Sequence, residues 1–159
     1  MRERRLELAN IATEASTALR ELLESRDGLG GGGALAAAQI LAQNVGAELM
    51  DRAAGAKYPQ VCVYCERIVN DQREKFPRFS GTARLVAEIR VSQEHLEGLE
   101  VRTLVCVDEV TAVLGRNRGE WREGLYFGGR YEVEIEGVRR GGRNFLQVAK
   151  VKVEVAGRR

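Results

Sequence analysis

The spacing of apolar residues changes at one point in this chain, at Tyr58-Pro59. Before this dipeptide, apolar side chains recur at helical spacing, and after it they begin to alternate with polar ones at a period of two. Proline cannot continue a helix, and it favours an extended conformation in the residue before it. The sequence therefore predicts an N-terminal helical segment over residues 1–57 and a sheet-containing core over residues 58–159.

Two helices are predicted in the N-terminal segment. The first, Arg2 to about Arg26, places leucine and alanine on one stripe, and Asp27-Gly28 ends it. The second, Ala34 to about Ala54, is rich in alanine, which favours helix intrinsically. Residues 28–33 between them form a Gly-rich loop that matches the letters of the dinucleotide fingerprint. That motif follows a strand rather than a helix, so we interpret the loop as a hinge.

The pattern of the core predicts two hairpins joined by a helix. The helix spans Glu94–Leu114 with Ser92 as its cap, and an irregular loop, Arg116–Gly129, follows it. The expected strands are Val61–Glu66, Thr82–Val91, Tyr131–Glu136 and Phe145–Val155. In the second hairpin, glutamates on one strand face lysines on the other. We therefore expect an α+β fold whose antiparallel four-stranded sheet is built from two hairpins, with helices packed on one face.

The chain offers few groups for catalysis or metal binding, since it has one histidine and three cysteines among 159 residues. Cys62 and Cys65 lie in a predicted strand with their thiols on opposite faces, and no second Cys/His pair completes a zinc site. His95 has no nucleophile motif beside it and is interpreted as a surface or capping residue. We expect no catalytic residues, no cofactor and no metal.

Charge is unevenly distributed along the chain. The net charge is +2, yet residues 116–159 hold eleven basic and six acidic residues. Within this third, Arg139, Arg140 and Arg143 are candidates for contact with DNA phosphates or with the carboxylates of another subunit, and a solvated rim is the alternative. The charged N-terminus and the short apolar run Ala34–Ala38 predict neither a signal peptide nor a membrane span. The cysteines of such an intracellular chain are expected to stay reduced.

A subunit or partner interface is predicted in the glycine-flanked loop before the last hairpin, because tryptophan and arginine dominate interface energetics. The candidate residues are Trp121, Arg122, Tyr126, Phe127 and Arg130. Apolar surface in excess of the core also indicates a partner. The predicted core helix carries such residues at Val101, Leu104, Val105 and Cys106.

Three local patterns in the core resemble those of one protein family. They are Tyr58-Pro59-x-Val61-x-Val63-Tyr64, Gly128-Gly129-x-Tyr131-Glu132-Val133 and Gly142-x-Asn144-Phe145-x-Gln147-x-Ala149. Together with the strand Ala83–Val91 and the helix Leu96–Leu114, they span about two-thirds of the chain. This part resembles the tail terminator (tail-completion) proteins of long-tailed bacteriophages and prophages.

The resemblance implies a small α+β subunit of the virion tail or neck, assembled in the cytoplasm of the bacterial host. Such subunits form a homo-oligomeric ring, commonly a hexamer, that caps the completed tail tube. In such a ring, Arg139, Arg140 and Arg143 are candidates for contact with the lumen or with passing DNA. The ring contacts the tail-tube protein and the head-completion or connector protein, and the family has no catalytic residues to carry over. Three alternatives stay open: a head-completion or neck adaptor, a nucleic-acid-binding module using the arginine-rich C-terminal third, and a small enzyme using His95 or the cysteines.

Overall fold

The computed structural model describes residues 2–25, 27–43, 46, 57–71, 80–141 and 143–158. Its elements in chain order are α1 (Arg2–Glu24), a short 3-10 helix (Leu29–Gly31), β1 (Gln39–Leu41), β2 (Gln60–Asn70), β3 (Ser80–Gln93), α2 (Leu99–Arg116), β4 (Gly119–Arg122), β5 (Leu125–Ile135), β6 (Arg139–Gly141) and β7 (Asn144–Arg158). Neither α-helix in this part of the chain combines the length and the apolar character that crossing a membrane requires.

The described strands form one mixed sheet in the order β1-β2-β3-β7-β5-β4, with β6 also paired to β7. β1 runs parallel to β2, and the other described pairings are antiparallel. The sheet curls into a half-barrel. The prediction of an antiparallel four-stranded sheet made from two hairpins is therefore wrong, although the fold is α+β. The physical reason is that three further short strands add to the sheet: β1 and β4 lie at its two edges, and β6 pairs with β7.

Both helices pack on the same face of the sheet and share one hydrophobic core with it. α1 lies over β2 and β3, and α2 lies over β3 and β7. The sheet supplies alternate positions of its central strands, including Val63, Ala87 and Val151. α1 supplies Ile11, Ala15, Leu19 and Leu23. The predictions of the first helix, of strands β2 and β3, and of the pairing between β5 and β7 are confirmed.

The predicted second helix, Ala34 to Ala54, is wrong in its described part. Residues 34–37 form turns, and Gln39–Leu41 pairs in parallel with Gln60–Cys62. Alanine favours helix by at most about 0.7 kcal/mol over ordinary residues, so sheet hydrogen bonds and contacts with α2 override this preference. Residues 44–45 and 47–54 of the predicted helix lie outside the described residues.

The segment expected to be an irregular loop, Arg116–Gly129, instead contains a hairpin. Arg122 of β4 pairs with Leu125 of β5, which leaves Glu123 and Gly124 as a two-residue turn. Gly124 has a φ of 78°, a left-handed conformation that glycine adopts without strain. The hairpin adds β4 to one edge of the sheet.

The core helix begins five residues later than predicted, because β3 extends further than predicted. Ser92 pairs with Leu146 in the β3–β7 ladder, so it lies in a strand and does not cap the helix. The Gln93 side chain then donates hydrogen bonds to the backbone carbonyls of His95 and Glu97, at 2.6 and 2.9 Å. These bonds stabilise the turn that leads into α2.

Candidate interaction surfaces

The outward side of α2 carries apolar side chains that cover nothing in the fold. Val101 is 67% exposed, Leu104 40% and Val105 44%. The opposite side of the helix is buried against the sheet through residues such as Leu99, Cys106 and Val110. Cys106 therefore belongs to the core rather than to the predicted apolar excess, whereas Val101, Leu104 and Val105 do form such an excess. A helix that is apolar beyond its buried stripe is typical of one that meets a partner.

The apolar surface continues onto β5. Tyr131, Val133 and Ile135 pair with β7 positions that face the helices, so they extend the helix side of the sheet. Neither helix is in substantial contact with β5, and Tyr131 and Ile135 are exposed. We define the α2–β5 surface as Leu96, Val101, Leu104, Val105, Tyr131, Ile135 and Val138.

A shallow groove of about 450 Å³ lies within this surface. Leu96 and Glu100 line one side of it, and Ile135 and Val138 line the other. Gln147 also lines it, although that residue is only 2% exposed. The Gln147 side-chain nitrogen donates to the carbonyl of Glu136 at 3.1 Å, while its Oε1 accepts no hydrogen bond from the described residues.

The five predicted interface residues do not form one exposed surface. Phe127 is 1% exposed, and Trp121 packs against it with ring centroids 5.2 Å apart. The Trp121 indole N–H donates to the backbone carbonyl of Asn117 at 2.7 Å, which joins β4 to the end of α2. Arg122 forms an ion pair with Glu21 of α1 at 2.9 Å.

Only Tyr126 and Arg130 of the predicted interface set have exposed side chains. Tyr126 lies in register with Ala156, on the face of the sheet opposite the helices, and it lines a shallow depression there with Glu120 and Arg158. The α2–β5 surface lies on the helix side instead. A role of Tyr126 and Arg130 in an interface stays a prediction.

The three arginines predicted to contact DNA lie in or beside the β6–β7 turn, and all are exposed. Arg139 pairs with Leu146 and Arg140 with Phe145, so successive side chains of β6 point to opposite faces. The Arg140 guanidinium lies over the Phe145 ring, 5.5 Å from its centroid. The arginines thus face in more than one direction, and their contact with DNA stays a prediction.

The face of the sheet away from the helices carries a buried ionic cluster that is not among the sites predicted from the sequence. Arg90 is 1% exposed, and its Nε donates to the Glu88 carboxylate at 2.7 Å. The Tyr64 hydroxyl donates to the same carboxylate at 3.0 Å, and Lys150 lies 3.9 Å from it. Burial and the negative charge of Glu88 raise the pKa of Tyr64. The signal in the sequence is a glutamate and an arginine two positions apart in a strand, which puts both on one face.

A more exposed row of ion pairs continues from this cluster toward β5. Lys152 binds Glu134 of β5 at 3.0 Å and Glu66 of β2 at 3.3 Å, and Lys150 binds Glu136 at 3.5 Å. The hydrogen bond from Lys152 lowers the pKa of the Glu134 carboxyl. These contacts confirm the predicted pairing of glutamates on one strand with lysines on the next.

Two side chains of α2 bind the residues that flank the Gly-rich loop: Arg116 donates to the carbonyl of Asp27 at 2.9 Å, and Glu109 binds the residues that follow the loop. Its two carboxylate oxygens accept hydrogen bonds from the backbone N–H groups of Ala34 and Leu35, at 2.6 and 2.8 Å. Gly33, which precedes them, has a φ of 106° and leaves no room for a Cβ beside this carboxylate. The N–H groups that could contact a phosphate after a glycine-rich turn therefore already bind a carboxylate of the chain itself.

The cysteines and the histidine are placed apart from one another. Cys62 packs in a small cluster on the outer face, and Cys65 packs against the main core on the helix side, as the strand pattern predicted. Burial raises the pKa of both thiols and raises that of Cys106 to about 11. His95 is exposed in the turn before α2. No group of three or more histidine, cysteine or acidic residues that could hold a metal ion occurs within the described ranges.

Comparisons with protein-family models and with curated proteins find no match to this chain.

Proposed function

We propose that this chain is a structural subunit of the head–tail junction of a long-tailed bacteriophage, of the tail-terminator type. In this role it forms a homo-oligomeric ring that caps the tail tube and joins it to the head-completion or connector protein. The observation that carries the proposal is the α2–β5 surface, whose apolar side chains are exposed and lie outside the buried hydrophobic core. The family resemblance of the sequence supplies the biological setting.

The shape of this surface supports a protein partner rather than a small-molecule ligand. Val101, Leu104 and Val105 lie on the convex side of a helix, whereas small-molecule sites are concave and enclose their ligands. An exposed helix ridge with apolar residues three and four positions apart fits a groove on another protein. We therefore assign the α2 part of this surface, Val101, Leu104 and Val105, to contact with the tail-tube or connector protein.

Charge on the neighbouring strand also favours a protein partner over nucleic acid. Glu132, Glu134 and Glu136 lie on or just after β5, beside the turn that carries Arg139 and Arg140. Lys152 and Lys150 neutralise Glu134 and Glu136, whereas Glu132 makes no ion pair with the described residues and would repel phosphates. The two arginines face opposite sides of β6. The nucleic-acid-binding alternative therefore has less support than the assembly role.

The proposal is tested with the double variant Val101→Lys/Val105→Lys. Both side chains are exposed, so the variant should fold, and two lysines in an apolar contact should prevent docking. Ala156→Lys is the control, because it adds a lysine to an exposed position on the face of the sheet opposite the helices. In a phage that depends on this gene, we expect the double variant to yield unjoined heads and tails and the control to yield normal particles.

Two measurements read out the test. Electron microscopy of the lysate distinguishes joined from unjoined particles, and light scattering with negative-stain microscopy shows whether the purified chain forms rings. A chain that stays monomeric up to several hundred micromolar and is missing from purified particles would overturn the proposal. Normal particle joining by the double variant would remove the assignment of the α2–β5 surface.

A further inference from the structure

The sheet has an open edge along β5. β4 pairs only with Leu125–Phe127, so Gly128–Ile135 has no partner on that side among the described residues. β7 occupies the other side of β5. Unpaired backbone N–H and C=O groups in a strand of this length are a template for another strand.

The opposite edge of the same sheet, along β2, is open in the same way. β1 pairs only with Gln60–Cys62, which leaves Val63–Asn70 without a partner on that side within the described ranges. Both open stretches are eight residues long. Three successive antiparallel pairings separate β2 from β5, so the two strands run in opposite directions. A second copy that continues the sheet would therefore bring its β2 antiparallel to β5 of the first.

The helix sides of the two edges are complementary in shape. Tyr131, Val133 and Ile135 project from β5 with no helix packed over them. At the β2 edge, α1 and the strand border a groove of about 340 Å³, lined by residues that include Thr13 and Cys65. In a continued sheet, the apolar row of β5 would extend toward α1 of the next copy.

The outer faces of the two edges are complementary in charge. Arg67 of β2 is in register with Arg84 of β3, and like charges in this position repel each other. Arg84 binds Glu154 at 3.3 Å, whereas Arg67 makes no ion pair with the described residues. Glu132 of β5 lies on the same outer face and also makes no ion pair within the described ranges. A second copy would supply each of these charges with its opposite.

We infer that copies of this chain associate head to tail by pairing the β5 edge of one with the β2 edge of the next, Glu132 facing Arg67. A contact between two different surfaces closes into a ring when a whole number of its rotations completes a full turn, and otherwise it builds an open filament. The inference rests on the proposed function in that it explains how the proposed ring is built. It leaves the α2–β5 positions Val101 and Val105 free for the tail-tube or connector protein.

Cysteine cross-linking tests the pairing directly. Cys65 lies on β2 toward the helix side, so Tyr131→Cys, Val133→Cys and Ile135→Cys scan the facing row of β5 for the register that meets it. When an introduced cysteine bonds to Cys65 of the next copy, the covalent dimer keeps a free Cys65 at one end and a free introduced cysteine at the other. Each end can therefore bond to a further copy. We expect at least one variant to give, after mild oxidation, a ladder of covalent oligomers on non-reducing gels.

The control is Val101→Cys, an exposed position on α2 away from both edges. A cysteine that pairs with its own equivalent stops at a dimer, so this variant should give no ladder. Adding Cys65→Ser to the ladder-forming variant should abolish the ladder. A ladder that persists without Cys65 would contradict the pairing.

Charge reversal gives an independent readout. Arg67→Glu and Glu132→Arg should each weaken association about tenfold, and the combined variant should restore it, as measured by light scattering across concentration. A stable oligomer that shows neither the ladder nor any response to charge reversal overturns the edge pairing and leaves the proposed function intact. A chain that is monomeric throughout overturns the proposed ring and the pairing together.

Discussion

Replacement of Glu109 by alanine should destabilise the fold by releasing the Gly-rich loop from α2. The Glu109 carboxylate accepts hydrogen bonds from the backbone N–H groups of Ala34 and Leu35. Leu35 is buried in the main hydrophobic core, so the two bonds hold in place a segment that covers part of this core. Without the carboxylate, both N–H groups lose their acceptor, and the polar attachment to α2 that remains is the hydrogen bond from Arg116 to the carbonyl of Asp27.

The magnitude follows from the number and the exposure of these bonds. A hydrogen bond to a charged group contributes about 1.5 to 3 kcal/mol. The bond to Ala34 is exposed and the bond to Leu35 is partly buried, so the Glu109→Ala variant should lose about 2 to 4 kcal/mol. Glu109→Gln keeps one acceptor oxygen, and about half of that loss is expected. For a chain of 159 residues, the alanine variant should lower Tm by about 5 to 10 °C.

Urea unfolding monitored by circular dichroism measures these free energies. Asp108→Ala is the matched control, because its side chain is exposed on the same helix and should change stability by less than about 0.5 kcal/mol. Gly33→Ala places a Cβ against the Glu109 carboxylate, so its cost should shrink when it is combined with Glu109→Ala. A Glu109→Ala variant as stable as Asp108→Ala would refute the reasoning.

Burial yields three more predictions. Phe127→Ala should cost about 3 to 5 kcal/mol because its ring is buried, whereas the exposed neighbour Tyr126→Ala should cost less than about 0.5 kcal/mol; equal costs in urea unfolding would contradict this. Arg90→Met should lower the free energy of unfolding by about 3 to 5 kcal/mol, because it removes the closest cation from the buried Glu88. The double variant Arg90→Met/Glu88→Gln should recover part of this loss, and no recovery would contradict a stabilising ion pair. Burial raises the pKa of Cys106 to about 11 and raises those of Cys62 and Cys65, so few thiols are ionised at pH 8. Iodoacetamide should therefore modify the native chain slowly and all three cysteines after unfolding, as counted by mass spectrometry.

Local periodicity was enough to predict α1, β2, β3 and the β5–β7 hairpin, because each of these elements buries one face against the core. The order of the strands was not available from the same signal. β3 pairs along its whole length with β7, from Ser80 opposite Arg158 to Gln93 opposite Phe145. Alternation along a strand shows which positions are buried but not which distant strand lies beside it.

Only part of the candidate surfaces could be predicted from the sequence. The apolar excess on α2 follows from counting residues outside one helical stripe, and three of the four positions are exposed. The sequence indicates an interface at Trp121 and Phe127 because its pattern predicts an irregular loop over Arg116–Gly129. The Glu123-Gly124 turn folds that segment into a hairpin and directs both rings toward the core. Glu88 and Arg90 alternate with apolar residues as an exposed face would, and only the three-dimensional packing buries them.

The lengths of the edge strands connect the fold to its proposed assembly. β1 has three residues and β4 has four, whereas β2 and β5, which they flank, have eleven each. A bulge lies within each open stretch, between Cys65 and Arg67 in β2 and between Phe127 and Tyr131 in β5, and the register is regular over Arg67–Asn70 and Tyr131–Ile135. Neither stretch contains proline, the residue that removes a hydrogen-bond donor and blocks further pairing. A chain that stayed alone would gain from such a block, since regular open edges invite uncontrolled association. Two eight-residue stretches of opposite direction, each without a partner along one side among the described residues, are instead suited to pairing with each other, and a closed ring of copies would cover both.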